Sequence, residues 1–228
     1  MYLAKNISLK NRTFTLESPE GETDFAITLD GLHNVYNATG AIIAARRFLN
    51  LSDEEIQKGL STFEGTAGRM DIVAEVDGKT IMVDYAHNPA GVETILKEVS
   101  KIYGDATVVI TITSESGHEG DIEILEKALG NVKYIVPASH DSRLVVDELL
   151  AAAKEGKADF DYETLENTFV FTENSPEQAS KFTLGASAEQ VVEGVKAALK
   201  TDSNIVIVLG EAGFKFESAI SDFCKNYS

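Results

Sequence analysis

An α/β fold is the class this sequence predicts: a mainly parallel sheet with helices on both faces, preceded by a small α+β segment. Three observations carry that prediction. From about residue 71 onward, β-prone and helical patterns alternate along the chain, as they do where crossover helices link parallel strands. Within that stretch, "ATVVITIT" (106–113) has the β-branched content of a buried strand. Residues 1–30 follow a different rule, with β-formers at short intervals and a "SPEG" turn at 18–21, which predicts two or three antiparallel strands.

The elements follow in order. In "DGLHNVYNATGAIIAARRFLN" the period changes, and Val35, Ala38, Ile42, Ala45 and Leu49 fall on one helical face. Ser52 with Glu55 three residues on is a capping-box signature, so 53–62 is expected to be a short helix. "EGTAGRM" (64–70) is small and flexible, a candidate boundary. "DIVAEVDGKTIMVDY" reads as a hairpin turning at Asp77-Gly78. Helices are expected at "AGVETILKEVSKIY", "DIEILEKAL", "SRLVVDELLAAAKEG" with Gly156 as its stop, and "SAEQVVEGVKAALK" with Ser187 and Gln190 in capping-box spacing. "GFKFESAISDFCKNY" is expected to close the chain as a helix. Strands are expected at "VKYIVPA", "TFVFTE" and "NIVIVLG".

Composition narrows the function. With 228 residues, 43% of them hydrophobic, the chain can bury a core as one large domain or two small ones. A net charge of −17 argues against nucleic-acid or anionic-membrane partners, though not against a phosphate ligand held by local amides. The single cysteine, Cys224, excludes an intramolecular disulfide and fits a reducing compartment; it reads as a small residue in a terminal helix. No apolar run has the length of a membrane span and no secretory signal is visible, so a soluble cytoplasmic protein is expected.

In parallel sheets ligands collect at the carboxyl ends of strands. Four such ends are polar or glycine-bearing: "DYAHNP" (84–89), "TSESGHEGD" (113–121), "PASHDSR" (137–143) and "LGEAGF" (209–214). Capping accounts for Asn88 followed by Pro89 at a helix start. It does not account for Asp84, Tyr85 and His87. His118 has no companion at metal-ligand spacing and reads as a solvated loop histidine. A dinucleotide-binding oxidoreductase or methyltransferase domain predicts G-x-G-x-x-G after a strand, and that string is absent.

"LDGLHNVYNATGAIIAA", then "GRM", then "VDYAHNPAGVETIL" resemble, in order and spacing, the Mur ligase family of ATP-dependent amino-acid and peptide ligases. Cyanophycin synthetase and related amide ligases share that fold. The resemblance is firm over about residues 27–100 and looser beyond. It implies that 1–66 is the C-terminal part, a small α+β remnant, of the family's central ATPase domain, and that 67–228 is its Rossmann-like C-terminal domain. The family's G-x-x-G-K-[ST] phosphate loop is absent from these residues, so the chain is expected to be a C-terminal portion, inactive alone, with the N-terminal and ATPase domains as its partners. ATP and magnesium are the implied cofactors, the magnesium ligands lying outside this chain. Strictly catalytic groups are expected outside it as well.

Carried over by position, the resemblance implies that Asn34 and Asn37 lie at the adenine side; otherwise Asn34 is a helix N-cap with Asn37 in the first turn. It implies that Arg69 reaches nucleotide phosphate or ribose and Asp84 the ribose hydroxyls, with Tyr85, His87 and Asn88 completing the nucleotide edge. The acceptor side is implied at Asp141 and Arg143 of "HDSR", where the family's diaminoacid-adding branch has D-N-P-R, and at Glu211 of "LGEAGF", where the family has Gly-Lys-Gly-His-Glu. "GHEGD" keeps Gly120 and Asp121 of a family Gly-Asp but lacks the basic residue that follows. The implied activity is amide formation between an amino acid or amine and a carboxylate, through an acyl phosphate, in murein or pseudomurein precursor synthesis. The departures leave open a cyanophycin-like or cofactor-amidating ligase, and a non-catalytic nucleotide-binding or protein-interaction domain of the same fold.

Overall fold

The computed structural model of the protein describes residues 1–113, 117–174 and 186–227. The chain divides into two compact units, Met1–Thr66 and Ala67–Ser228.

In the first unit, β1 (Leu3–Ser8), β2 (Thr13–Ser18) and β3 (Gly21–Ala26) form an antiparallel meander, followed by α1 (Leu32–Leu49) and α2 (Asp53–Thr62). Alternation in β2 turns Phe14 and Leu16 to one face, where they pack with Phe25 against Val35, Ala38 and Ile42 of α1 and Ile56 of α2. Leu49, expected on that face, is 66% exposed, because Asn50 (φ 52°) ends the helix there in the left-handed conformation. The α2 capping box forms in full, Ser52 accepting from the Glu55 amide and Glu55 from the Ser52 amide. Arg46 binds Asp53 at 2.8 Å, Ser18 and Thr23, which ties α1 to α2 and to the β2–β3 end and holds the Asp53 carboxyl below its usual range. Gln57 exchanges two hydrogen bonds with the Ala26 backbone (2.9 and 3.0 Å), so its amide covers part of the β3 edge.

The second unit is a five-stranded sheet of β4 (Asp71–Val76), β5 (Lys79–Asp84), β6 (Ala106–Ile110), β7 (Tyr134–Pro137) and β8 (Ile205–Leu209), in the order β4-β5-β8-β6-β7. Only β4 runs antiparallel, as half of the hairpin whose turn residues Asp77 (φ 50°) and Gly78 (φ 77°) both take positive φ. The parallel strands alternate between two faces. Met82, Val108, Ile110, Ile135, Ile205, Ile207 and Leu209 face one core, covered by α3 (Pro89–Tyr103), α4 (Gly117–Leu129), α5 (His140–Lys154) and α6 (Tyr162–Thr168). Ile81, Val83, Val109, Val136, Val206 and Val208 face the other, covered by α7 (Ala188–Leu199), α8 (Glu211–Lys215) and α9 (Glu217–Asn226). This is the expected mainly parallel sheet with helices on both faces. Cys224 belongs to the second core, and burial pushes its thiol pKa up, away from reactivity.

Three expectations need correction. "TFVFTE" is not a strand: it makes one bridge, Ile135 to Phe169, after α6, a helix the sequence reading missed. Asp161 caps that helix, accepting from the Thr164 amide at 2.9 Å and from its hydroxyl at 2.6 Å, and the helix runs as far as Thr168, the first residue of the β-prone run. The chain after β6 leaves the ladder at Ile110, because the Ile112 amide goes to Ser142 Oγ at 2.8 Å. The closing helix is two helices, α8 and α9, meeting at Phe216. Of "TSESGHEGD", residues 114–116 lie outside the described residues. Among the described residues no helix is long and apolar enough to cross a membrane.

Candidate functional site

The β4–β5 hairpin brings the Gly68–Met70 turn beside the end of β5. Asp84 is buried (2% exposed), and both its oxygens accept from backbone amides, Oδ2 from Met70 at 2.9 Å and Oδ1 from Ala86 at 2.8 Å. The Tyr85 amide donates to the Gly68 carbonyl at 2.9 Å, and the Gly210 amide to the Asp84 carbonyl at 3.1 Å. Met70 sits at φ 47°, an unfavourable conformation for a side-chain-bearing residue, and the bond to Asp84 holds it there. A charge-assisted hydrogen bond of this kind contributes about 1.5–3 kcal/mol. Asp84, expected at the ribose hydroxyls, thus accepts from the chain's own amides beneath the site.

What faces outward is a shelf of four side chains. The half-buried Tyr85 ring lies edge-to-face with His87 (centroids 5.0 Å apart) and with Phe214 (5.8 Å, planes at 89°). The exposed Arg69 places its guanidinium carbon 5.2 Å from the Tyr85 ring centre. His87 Nδ1 lies 3.0 Å from the Tyr85 carbonyl oxygen, an acceptor only, so Nδ1 carries the proton and Nε2 of the neutral ring is an acceptor. Asn88 caps α3, its Oδ1 accepting from Gly91 at 2.9 Å with Pro89 following, and it does not join the shelf through that oxygen. Thus Arg69, Tyr85 and His87 come together as one group, resting on Asp84.

The residues expected on the acceptor side are more dispersed. Arg143, in the first turn of α5, donates from Nε to Asp147 at 2.9 Å and stacks on Phe171 at 4.0 Å, so its plane is already fixed by the protein. Asp141 stands in the same turn, and Glu211 opens α8 after Gly210 (φ 104°). A β-carbon at Gly210 would meet Thr111, which is why β8 can end so close to β6. His118 is a helical residue rather than a loop one, with Nε2 3.2 Å from Glu148 and both side chains exposed. Asp121 is buried on α4.

In the first unit, Asn34 is not the N-cap of α1; Gly31 is. Asn34 Nδ2 turns back to the Asp30 carbonyl at 2.7 Å, and Asn37 Nδ2 reaches Asn34 Oδ1 at 3.4 Å. Asn37 is exposed.

Sequence reasoning missed Phe214, and with it the reason for Gly68. Gly68 has φ 70°, and a β-carbon there would lie 3.0 Å from Phe214 Cγ and closer still to the ring edge. The available signal was an aromatic at the end of "LGEAGF", a strand end already marked for inspection. Also missed were Ser139 and Ser142, whose hydroxyls, 2.5 Å apart, serve Ile110 and Ile112 backbone groups and so set the path of the chain leaving β6.

Comparison with known proteins identifies the shelf's setting. The family profile described as Mur ligase, glutamate ligase domain, matches residues 68–192. A UDP-N-acetylmuramoyl-L-alanyl-D-glutamate–2,6-diaminopimelate ligase from Alkaliphilus oremlandii is 36% identical over 95 residues, 42% of this chain and 19% of that protein. The solved pseudomurein peptide ligase type C from Methanothermus fervidus is 32% identical with a TM-score of 0.72, over 96% of this chain and 41% of that one. A folylpolyglutamate synthase from Thermotoga maritima shares the fold (TM-score 0.62, 19% identity), over all of this chain and 47% of that one. The chain thus spans less than half the length of these solved relatives. It belongs to the Mur ligase family, and residues 68–192 match that family's glutamate ligase domain.

Proposed function

We propose that this chain is the C-terminal portion of an ATP-dependent amide ligase, one that joins an amino acid or amine to a carboxylate in murein or pseudomurein precursor synthesis. The observation that carries the reading is the grouping of Arg69, Tyr85 and His87 on the shelf at the carboxyl end of β5, where parallel sheets bind ligands. Family membership and the pseudomurein ligase likeness support the choice of ligand and of pathway.

Each residue has a chemical part in this reading. Arg69, exposed and stacked on a ring, offers its guanidinium nitrogens to phosphate or ribose. His87 Nε2 accepts from a ribose hydroxyl, a part that falls to it because Asp84 is taken up by amides. Tyr85 supplies the apolar platform between them. Arg143 holds the carboxylate of the incoming amino acid, with Asp141 and Glu211 near its amine.

In the reaction, a substrate carboxylate oxygen attacks the γ-phosphorus and ADP leaves, giving an acyl phosphate. The amine lone pair then attacks the acyl carbon, phosphate departs with the bonding electrons, and the amine loses its proton. This chain's residues bind and orient, and closure of the site keeps water from the acyl phosphate. Magnesium and the phosphate loop are contributed from outside these residues.

Two measurements test the reading. In the intact enzyme, Arg69→Ala is expected to raise the KM for ATP about tenfold, a loss of roughly 1.4 kcal/mol of binding. Wild-type kinetics in that variant would remove the nucleotide edge. The chain by itself, lacking a G-x-x-G-K-[ST] string, is expected to release no phosphate from ATP, and turnover by the purified chain would refute its assignment as a partial site.

A further inference from the structure

We propose that Phe214 is a positioning residue, a buttress that orients Tyr85 and through it Arg69, and that Gly68 lacks a side chain in order to admit it. The proposal rests on the nucleotide reading above.

Phe214 lies on α8, beyond the end of β8, whereas Tyr85 and Gly68 belong to the β4–β5 side of the sheet. It is 40% exposed. Its ring meets Tyr85 edge-on at 89° and covers the Cα of Gly68, so close that any β-carbon there would strike it. Gly68 is tied to Tyr85 by the bond from the Tyr85 amide to its carbonyl, and Arg69 is the next residue. Three contacts therefore close a ring: Phe214 on Tyr85, Tyr85 on Gly68, and Gly68 under Phe214. The α8 end is itself fixed, since Gly213 approaches Val208 so closely that a β-carbon would fall 2.9 Å from its methyl. The guanidinium stacked on Tyr85 inherits its position from this assembly.

The test is a coupling measurement in the intact enzyme. Phe214→Ala is expected to raise the KM for ATP about tenfold, with the acceptor KM changed less than about twofold, and Phe214→Tyr to restore it to within about twofold. Gly68→Ala is expected to match Phe214→Ala. The double variant should be no worse than the worse single one, because removing the ring removes what the new methyl strikes. Ser187→Ala, which breaks the α7 capping box, serves as a destabilised control with unchanged ATP KM. Thermal destabilisation by Phe214→Ala with an unmoved ATP KM would overturn the proposal, as would additive effects of the two substitutions. The Tyr85 ring signal in a tyrosine-labelled NMR spectrum is also expected to shift in Phe214→Ala. If the wild-type enzyme uses no ATP, the nucleotide reading fails separately, and the Tyr85 signal decides alone: unmoved in Phe214→Ala, it overturns the buttress.

Discussion

The two ends of the five-stranded sheet dispose of their polar groups in opposite ways. At the amino ends of the parallel strands, polar groups satisfy one another. Thr107 Oγ1 lies 2.7 Å from both Thr201 Oγ1 and Ser203 Oγ, and Lys79 Nζ binds the carbonyls of Thr201 and Ser203. Lys133 bridges Asp105 and Asp202, and the Asn204 side chain donates to the Tyr103 carbonyl. At the carboxyl ends, hydrogen bonds instead shape the backbone: Met70 and the glycines at 68 and 210 take positive φ, unfavourable for Met70 alone and held there by Asp84, and Arg69, His87 and Phe214 are turned outward. One end closes the fold and the other displays side chains. At the displaying end a buried anchor, Asp84, holds the backbone, and the side chains it carries outward are the ones whose loss blunts function without unfolding.

The largest effect is expected where the displaying end depends on a buried charge. Asp84→Asn puts an amide NH2 where a carboxylate oxygen accepted a backbone N–H, and the Met70 turn loses its anchor. The expected cost is about 3 kcal/mol in denaturant unfolding of the second unit, in the range for breaking charge-assisted bonds to buried groups. A cost below about 0.5 kcal/mol would mean that the turn holds itself and that the carboxyl end does not depend on Asp84. Thr107→Val comes next. It removes the shared hydroxyl at the amino ends while keeping the shape, at an expected cost of about 1–2 kcal/mol with no change in the KM for ATP. An altered KM there would show that the two ends are not separable. Arg69→Ala is expected to cost less than about 0.5 kcal/mol in stability, since the side chain is exposed and makes one ring contact, while carrying the kinetic loss stated above.

The same contrast explains what could be read from the sequence. Features encoded in a few consecutive residues were legible: both capping boxes, the Asp77-Gly78 hairpin, the proline at the start of α3, and the β-branched content of the buried strand β6. The "DYAHNP" edge was legible as a place, with Arg69, Tyr85 and His87 as members. The role of Asp84 was not, because it depends on register. Pairing outward from the hairpin turn proceeds regularly to Ala74, and then a bulge leaves Val73 without a partner and shifts Ile72 and Asp71 by one position. That shift sets the Met70 amide opposite the Asp84 carboxylate, and no local pattern announces it. Phe214 was hidden for a similar reason, since its meeting with Gly68 depends on β8 inserting between β5 and β6, although it lies last in sequence. "TFVFTE" misled in the other direction: its β-propensity was real, but the run meets the sheet edge at one bridge to β7, and propensity without a paired partner makes no strand.

The smallest expected effect concerns charge at the displaying end. Glu217, at the start of α9, has its pKa raised from the ordinary 4.5, first by burial and second by the neighbouring Asp71, which opens β4 beside the Gly68 turn. The α9 amino terminus favours a negative charge there and works against that rise without reversing it. A carboxyl whose folded pKa is raised contributes its full stability below the unfolded value and loses it as pH rises through the folded value. At pH 7 the ionised Glu217 is therefore a liability, and it ceases to be one when protonated in both states. Glu217→Gln is expected to raise the unfolding temperature at pH 7 and to leave it unchanged near pH 3, well below the ordinary 4.5, where both side chains are neutral. An equal gain at both pH values would assign the effect to packing. A loss at pH 7 would mean that the carboxylate is held by a cation, and that the carboxyl end is as fully paired as the amino end.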